Sequence, residues 1–206
     1  MLTDRTRSHT RPPEPSFDPT THRKLVKRYD EPGHAHELTF SCYQRFPLLS
    51  EQRYCVLLSQ SIDRAIKKQG FELIAFVYMP EHVHLIVFPV TPEARVARLL
   101  FGIKRPFSTR AKQLMLQTDE LTVRRLTIRE RPGRSVFRFW QEGGGYDRNI
   151  TNEGTLRMAI DYMHNNPVRR GLCDSPDRWK WSNWPYYSKP DRWPAPDLPE
   201  VHGFPA

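Results

Sequence analysis

The sequence predicts an α+β fold: a central antiparallel sheet, broadly ferredoxin-like, with helices packed on it. Three observations predict it. Two β-rich apolar runs meet at Met79-Pro80-Glu81, helical periodicity flanks that hairpin on both sides, and another helical segment closes the series. The order is strand, helix, strand, strand, helix, strand, helix, which suits helices laid on one antiparallel sheet.

Taken in order, residues 1–35 are polar and proline-bearing and read as a flexible basic arm. His36–Tyr43 mixes apolar and β-forming residues and predicts a first strand. Ser50–Lys68 places Tyr54, Leu57, Leu58, Ile62, Ala65 and Ile66 at helical spacing, and Gly70 ends that helix. The runs of FELIAFVYMPEHVHLIVFPV, residues 71–90, are apolar on both faces, as strands in mid-sheet are. Residues 93–116 predict a helix with Val96, Leu99, Leu100, Ile103 and Phe107 on one side, which Pro106 should break or kink. Residues 118–135 read as a basic loop or weak hairpin, and Val136–Trp140 as a further strand. Asn149–Asn166 is helical again, capped by Asn149, Thr151 or Asn152, with Leu156, Ala159, Ile160 and Met163 as its stripe. Pro167 should stop it at Asn166. The domain reading is therefore an arm over 1–35, one domain over 36–172, and a Trp- and Pro-rich tail over 173–206 packed on or extending it.

Charge and composition narrow the function. Between Arg95 and Arg134 eleven Lys and Arg face three acids, a net of +8 against +9 for the whole chain. So concentrated a field suits a polyanion, although a solvated basic face would look the same. Cys42, Cys55 and Cys173 are odd in number and widely spaced, which argues against disulfides and thiolate zinc. The apolar runs are too short to cross a bilayer, and MLTDRTRSHTRPPEP holds no apolar signal core, so the chain reads as cytoplasmic.

Two segments carry candidate chemistry. His82 and His84, two apart on a strand, project to one face and could share a divalent ion; hydrogen-bonded core histidines would show the same spacing. His34 and His36 repeat the spacing outside any apolar run and read as a surface feature. On the late helix, Tyr162 and Asn166 fall one turn apart on one flank of the apolar stripe. A phenol is a poor nucleophile at neutral pH unless the phosphate it attacks is polarised or its proton removed, and Asn166 offers a neutral oxygen ligand. A boundary aromatic and a helix cap are the plain alternatives.

Those residues carry a resemblance. Pro80-Glu81-His82-Val83-His84-Leu85-Ile86 resembles the HUH motif of single-strand-specific tyrosine transposases. Asp161-Tyr162-Met163-His164-Asn165-Asn166-Pro167-Val168-Arg169-Arg170-Gly171-Leu172 is similar to the YIHNNPVRAGL block of their REP-associated branch. Phe139-Trp140-Gln141-Glu142, Trp179-Lys180-Trp181-Ser182 and Tyr186-Tyr187 also fit, so the resemblance runs from about residue 36 to 188. It implies an HUH-type fold in which His82, His84 and Asn166 hold Mg²⁺ or Mn²⁺. Tyr162 would nick single-stranded DNA through a 5′-phosphotyrosine link and rejoin strands, at sites beside DNA hairpins. Arg95, Arg98, Lys104, Arg105, Arg110 and Lys112, with Arg169 and Arg170, are the candidates to hold the DNA, and Trp or Tyr of 179–187 either stack on bases or pack the tail. Relatives include monomers and dimers with exchanged helices, and Gly143-Gly144-Gly145 reads as a loose hinge, so a homodimer with Tyr162 beside a partner's histidines stays open. Two other functions compete: a non-catalytic hairpin-DNA or RNA regulator on the same fold, and a metal hydrolase using water. Histidine ligation would make activity fall below about pH 6.5, where an ordinary imidazole protonates.

Overall fold

The computed structural model describes residues 33–204. The arm expected over 1–35 therefore lies, up to residue 32, outside the described residues. The central sheet is built from β1 (Ala35–Ser41), β2 (Phe71–Met79), β3 (His82–Pro89) and β6 (Tyr146–Ile150), in the order β2-β3-β1-β6 with every pair antiparallel. Two helices make the crossovers, α1 (Gln52–Gln69) from β1 to β2 and α2 (Val96–Thr118) on the way from β3 to β6. This is the βαββαβ order of a ferredoxin-like sheet, so the predicted fold class holds. Between α2 and β6 the chain adds α3 (Glu120–Leu126) and a hairpin of β4 (Thr127–Arg131) and β5 (Arg134–Phe137).

Each face of the sheet has its own core. On one, Leu38, Phe40, Val83 and Leu85 meet α1 through Leu58 and Ile62 and α2 through Leu99, Ile103 and Phe107. On the other, Ala75, Val77, Met79 and Ile86 meet Leu156, Ala159, Ile160 and Met163 of α4 (Glu153–His164). Because both faces are covered, β2 and β3 are apolar on both, which is why their sequence shows no clean alternation.

Four local expectations change. Pro106 does not break α2, which runs unbroken to Thr118. The proline is exposed and sacrifices one backbone hydrogen bond, while Leu99, Ile103, Phe107, Ala111 and Met115 stay buried on both sides of it. Strand β6 lies where a hinge and helix start were expected, because Tyr146-Asp147-Arg148-Asn149 is too polar to announce a strand. Gly145 is no loose hinge either: a Cβ there would come within 2.0 Å of the Thr39 carbonyl oxygen, so only glycine lets β6 approach β1. His36 is also misjudged as a surface residue. It lies on β1, 1% exposed, with Nδ1 3.0 Å from Asp147 on the unforeseen strand.

The tail closes the outer edge of β2. The Tyr78 N–H donates to the Trp181 carbonyl, the Trp179 indole N–H to the Tyr78 carbonyl, and the Asn183 N–H to the Phe76 carbonyl. An edge strand left open would be a template for unwanted pairing. Asn183, 0% exposed, also accepts from the Phe76 N–H and His164 Nε2 and donates to the Ile74 carbonyl. His164, inside the tyrosine block, is thus a tie between α4, the tail and β2. Asn183→Ala should lower stability by about 2–4 kcal/mol, since it strands several buried polar groups. A fall in the urea midpoint with unchanged slope checks this, and an unmoved midpoint would contradict it.

Candidate functional site

The site forms where α4 crosses the sheet. Strand register places Val77, His84, Thr39 and Tyr146 in one row across β2, β3, β1 and β6, with Ile86, Glu37 and Arg148 in the next. The rows grade from apolar at β2 to polar at β6. The apolar stripe of α4 covers the β2 side, and its flank carries Tyr162 over the polar side. Tyr162 and His84 line one cavity of about 480 Å³, together with Thr39 and Tyr146. Tyr162 stands 59% exposed there, and of the two histidines His84 shares the cavity lining with it.

The two imidazoles are held from behind and face each other. His82 Nδ1 lies 3.1 Å from Glu81 Oε1, and Arg170 donates to the same oxygen at 2.8 Å. His84 Nδ1 lies 2.9 Å from Thr39 Oγ1, and Asn166 Nδ2 donates to His84 Nε2 at 2.8 Å. Partners on the far nitrogen are what orient ligand histidines. An ionised Glu81 requires the proton on His82 Nδ1, and the Asn166 donor requires a lone pair on His84 Nε2. The two Nε2 atoms then stand 2.9 Å apart with no proton between them, that of His84 taking the Asn166 N–H.

That donor set fits a divalent cation. Two donors at right angles on an ion with bonds near 2.1 Å stand about 3.0 Å apart, and a cation would relieve the repulsion between two unprotonated nitrogens so close together. Asn166 is adjacent but turned otherwise. Its Oδ1 accepts from Arg169 Nη2 at 2.9 Å and its nitrogen faces His84, so it would have to turn its amide over to offer oxygen. Among the described residues no group of three or more His, Cys, Asp or Glu could hold a metal, so a third protein ligand must come from outside those types.

Burial sets the electrostatics. It pushes the His84 imidazole down to about 3, helped by His82 and Arg169. Burial also lowers His82, against the opposing pull of Glu81. Burial would raise Glu81, but the Arg170 hydrogen bond and the nearby His82 leave it below the usual carboxylate range.

The predicted DNA-holding residues divide. Arg169 and Arg170 follow α4, the first with its guanidinium carbon 3.5 Å from the centre of the Tyr162 ring, the second on Glu81. The other six belong to α2 or its approach, whose core lies on the opposite face of the sheet. Lys104, Arg105 and Lys112 line a groove of about 730 Å³ against Phe137 and Trp140, and Arg98 a second of about 700 Å³ with Arg64 and Lys68. Arg95 turns onto the Pro92 and Ala94 carbonyls, and Arg110 reaches Gln60. Of the tail aromatics, Trp179 and Tyr187 bond to β2 carbonyls and Trp181 stacks on Tyr78. Thr39, Glu37, Tyr146 and Arg148 were missed, since only strand pairing brings them to His84.

No protein-family model matches the chain. A provisionally named REP-associated tyrosine transposase of Haemophilus influenzae is 26% identical over 115 residues, 55% of this chain and 59% of the relative. The chain thus matches less than two thirds of that relative's length. Among solved structures, a REP-associated tyrosine transposase bound to a REP hairpin superposes with a TM-score of 0.61 at 22% identity, covering 87% of this chain and 94% of that one. A provisionally named transposase from Deinococcus radiodurans superposes less closely, with a TM-score of 0.41 at 19% identity over 68% of this chain and 97% of that one. The fold is shared with the first, and the resemblance to REP-associated tyrosine transposases read from the motifs holds. No helix among the described residues is long and apolar enough to cross a membrane.

The lowered histidines revise the pH expectation. With His84 down at about 3, protons do not compete for it near 6.5, and an acid limb there is no longer expected from this residue. Stability should respond instead. The unfolded imidazole takes up a proton below about 6.5 and the folded one does not, so stability present above 6.5 is lost as pH falls toward 3. In EDTA the urea midpoint should drop between pH 7 and 4.5, and His84→Gln should flatten that drop. An identical slope in the variant would contradict the burial of a neutral His84.

Proposed function

We propose that the chain is a metal-dependent, single-strand-specific DNA endonuclease and transposase that nicks and rejoins strands through Tyr162. The observation that carries this is the shared cavity: Tyr162 and His84 line one hollow, with His82 Nε2 2.9 Å from His84 Nε2. His82 and His84 would hold Mg²⁺ or Mn²⁺, with Asn166 as third ligand once its amide turns over. When bound, the cation would neutralise charge developing on the non-bridging phosphate oxygens.

The remaining parts belong to the chain itself. The Tyr162 oxygen attacks phosphorus and gives up its proton to solvent, which its exposure allows. The bond from phosphorus to the 3′ oxygen breaks, that oxygen leaves as a 3′-hydroxyl after taking a proton, and a 5′-phosphotyrosine remains. Attack by another 3′-hydroxyl reverses the step and rejoins strands without a nucleotide cofactor. Arg169, stacked on the Tyr162 ring, orients the phenol and supplies positive charge beside the incoming phosphate. Hairpin-bearing single-stranded DNA is the proposed partner, because the similar solved transposase is bound to a REP hairpin. The α2 groove across the sheet would hold more distant backbone.

The test is a covalent one. With Mn²⁺ and hairpin-bearing single-stranded DNA, the protein should yield an adduct that survives a denaturing gel. Tyr162→Phe and EDTA should each abolish it, by at least about a thousandfold for loss of the nucleophile. Cleavage that persists in Tyr162→Phe would point to a water-using hydrolase. Tight binding with no cleavage would point to a regulator.

A further inference from the structure

We infer that the cavity beside Tyr162 is a pocket for one unpaired guanine base next to the scissile phosphate, stacked by Tyr146 and read by Glu37 and Arg148. The inference rests on the nicking reading only for which phosphate lies next door; the pocket is a matter of binding.

Three large side chains around this one hollow stay in solvent: Tyr146 is 52% exposed, Met158 65% and Tyr162 59%. Folding gains nothing from leaving them open, and an aromatic face beside a polarizable thioether is a platform for a flat ring. At about 480 Å³ the hollow suits one nucleotide and not a duplex.

Its floor reads an edge. Glu37 and Arg148 are direct cross-strand partners, and Arg148 Nη2 meets Glu37 Oε2 at 2.7 Å. The Glu37 side chain is sheltered at 13% exposure and that of Arg148 is open at 45%. A carboxylate repels phosphate, so this part of the cavity takes a base. Guanine presents two adjacent N–H donors, N1–H and N2–H₂, which match the two oxygens of one carboxylate, beside an O6 acceptor that suits an arginine. Adenine and cytosine each offer a single donor group on that edge, and thymine one N–H. The pocket adjoins His84 and Tyr162, so the base it holds is the near neighbour of the bond to be cut.

Binding is measured on Tyr162→Phe protein, which forms no adduct, so the answer does not depend on whether the wild type cleaves. A DNA hairpin with a randomised single-stranded flank is offered with Mn²⁺, and the bound fraction is sequenced. Guanine should be enriched roughly tenfold or more at one flank position. Adding Glu37→Gln should bring that preference to within about twofold of the other bases, and adding Tyr146→Ala should weaken binding of the whole pool roughly tenfold. Should Glu37→Gln fail to fold, inosine or O6-methylguanine at the selected position serves in its place, and each should cost most of the enrichment.

No preferred base, a preferred base other than guanine, guanine preference that survives Glu37→Gln, or no binding of the pool would each overturn the pocket. Guanine selection by a protein whose wild type never yields an adduct would leave the pocket standing and remove the nicking reading. An adduct without guanine selection would do the reverse.

Discussion

The whole site depends on where one helix sits. The stripe of Leu156, Ala159, Ile160 and Met163 is drawn onto the apolar half of a sheet whose other half is polar. Burying four such side chains is worth several kcal/mol, at about 25 cal/mol for each Å² of apolar surface removed from water. That burial fixes the rotation of α4 about its axis. With the stripe down, its flank must overhang the polar rows, and Tyr162 is on the flank. His164 anchors the same helix through Asn183 to β2, so the end of α4 nearest the histidines is tied twice.

A second constraint acts in the sheet. Thr39 is paired with His84 on one side and Tyr146 on the other, and Gly145 lets β6 come in over the Thr39 carbonyl. One residue thus holds His84 and aligns the strand that brings Tyr146 and Arg148. Burial then keeps both imidazoles neutral, and neutral rings with their far nitrogens engaged have lone pairs to give. Buried polar groups of this kind destabilise a fold unless they are satisfied, and Glu81, Thr39 and Arg170 supply that satisfaction.

Much of this was legible in the residues. The hairpin at Pro80-Glu81, the helix ended by Gly70 and the stripe of α4 follow from periodicity and turn chemistry, because each is a local rule. Tyr162 on the flank of its stripe was likewise a matter of angle. What was hidden was non-local. β6 has no apolar signature, and its pairing with β1 decides that His36 is buried, that Gly145 lies against the Thr39 carbonyl and that Tyr146 faces the site. That the basic α2 lies across the sheet from His82 and His84 follows from topology, which no run of charges reveals. Pro106 was over-weighted, since a packed stripe on both sides outweighs one lost hydrogen bond.

The central claim is that one chain brings its own phenol to its own histidine pair around one cation. Manganese broadening of tyrosine ring signals tests this most directly, using ¹³C-tyrosine protein diluted into an excess of unlabelled chain that carries His84→Ala. Labelled chains should bind Mn²⁺ at their own histidines, and the Tyr162 and Tyr146 signals should broaden together while Tyr54, buried on the other face, stays sharp. A Tyr162 signal that stays sharp as Tyr146 broadens would mean that the proposed nucleophile and the proposed metal site of one chain do not meet.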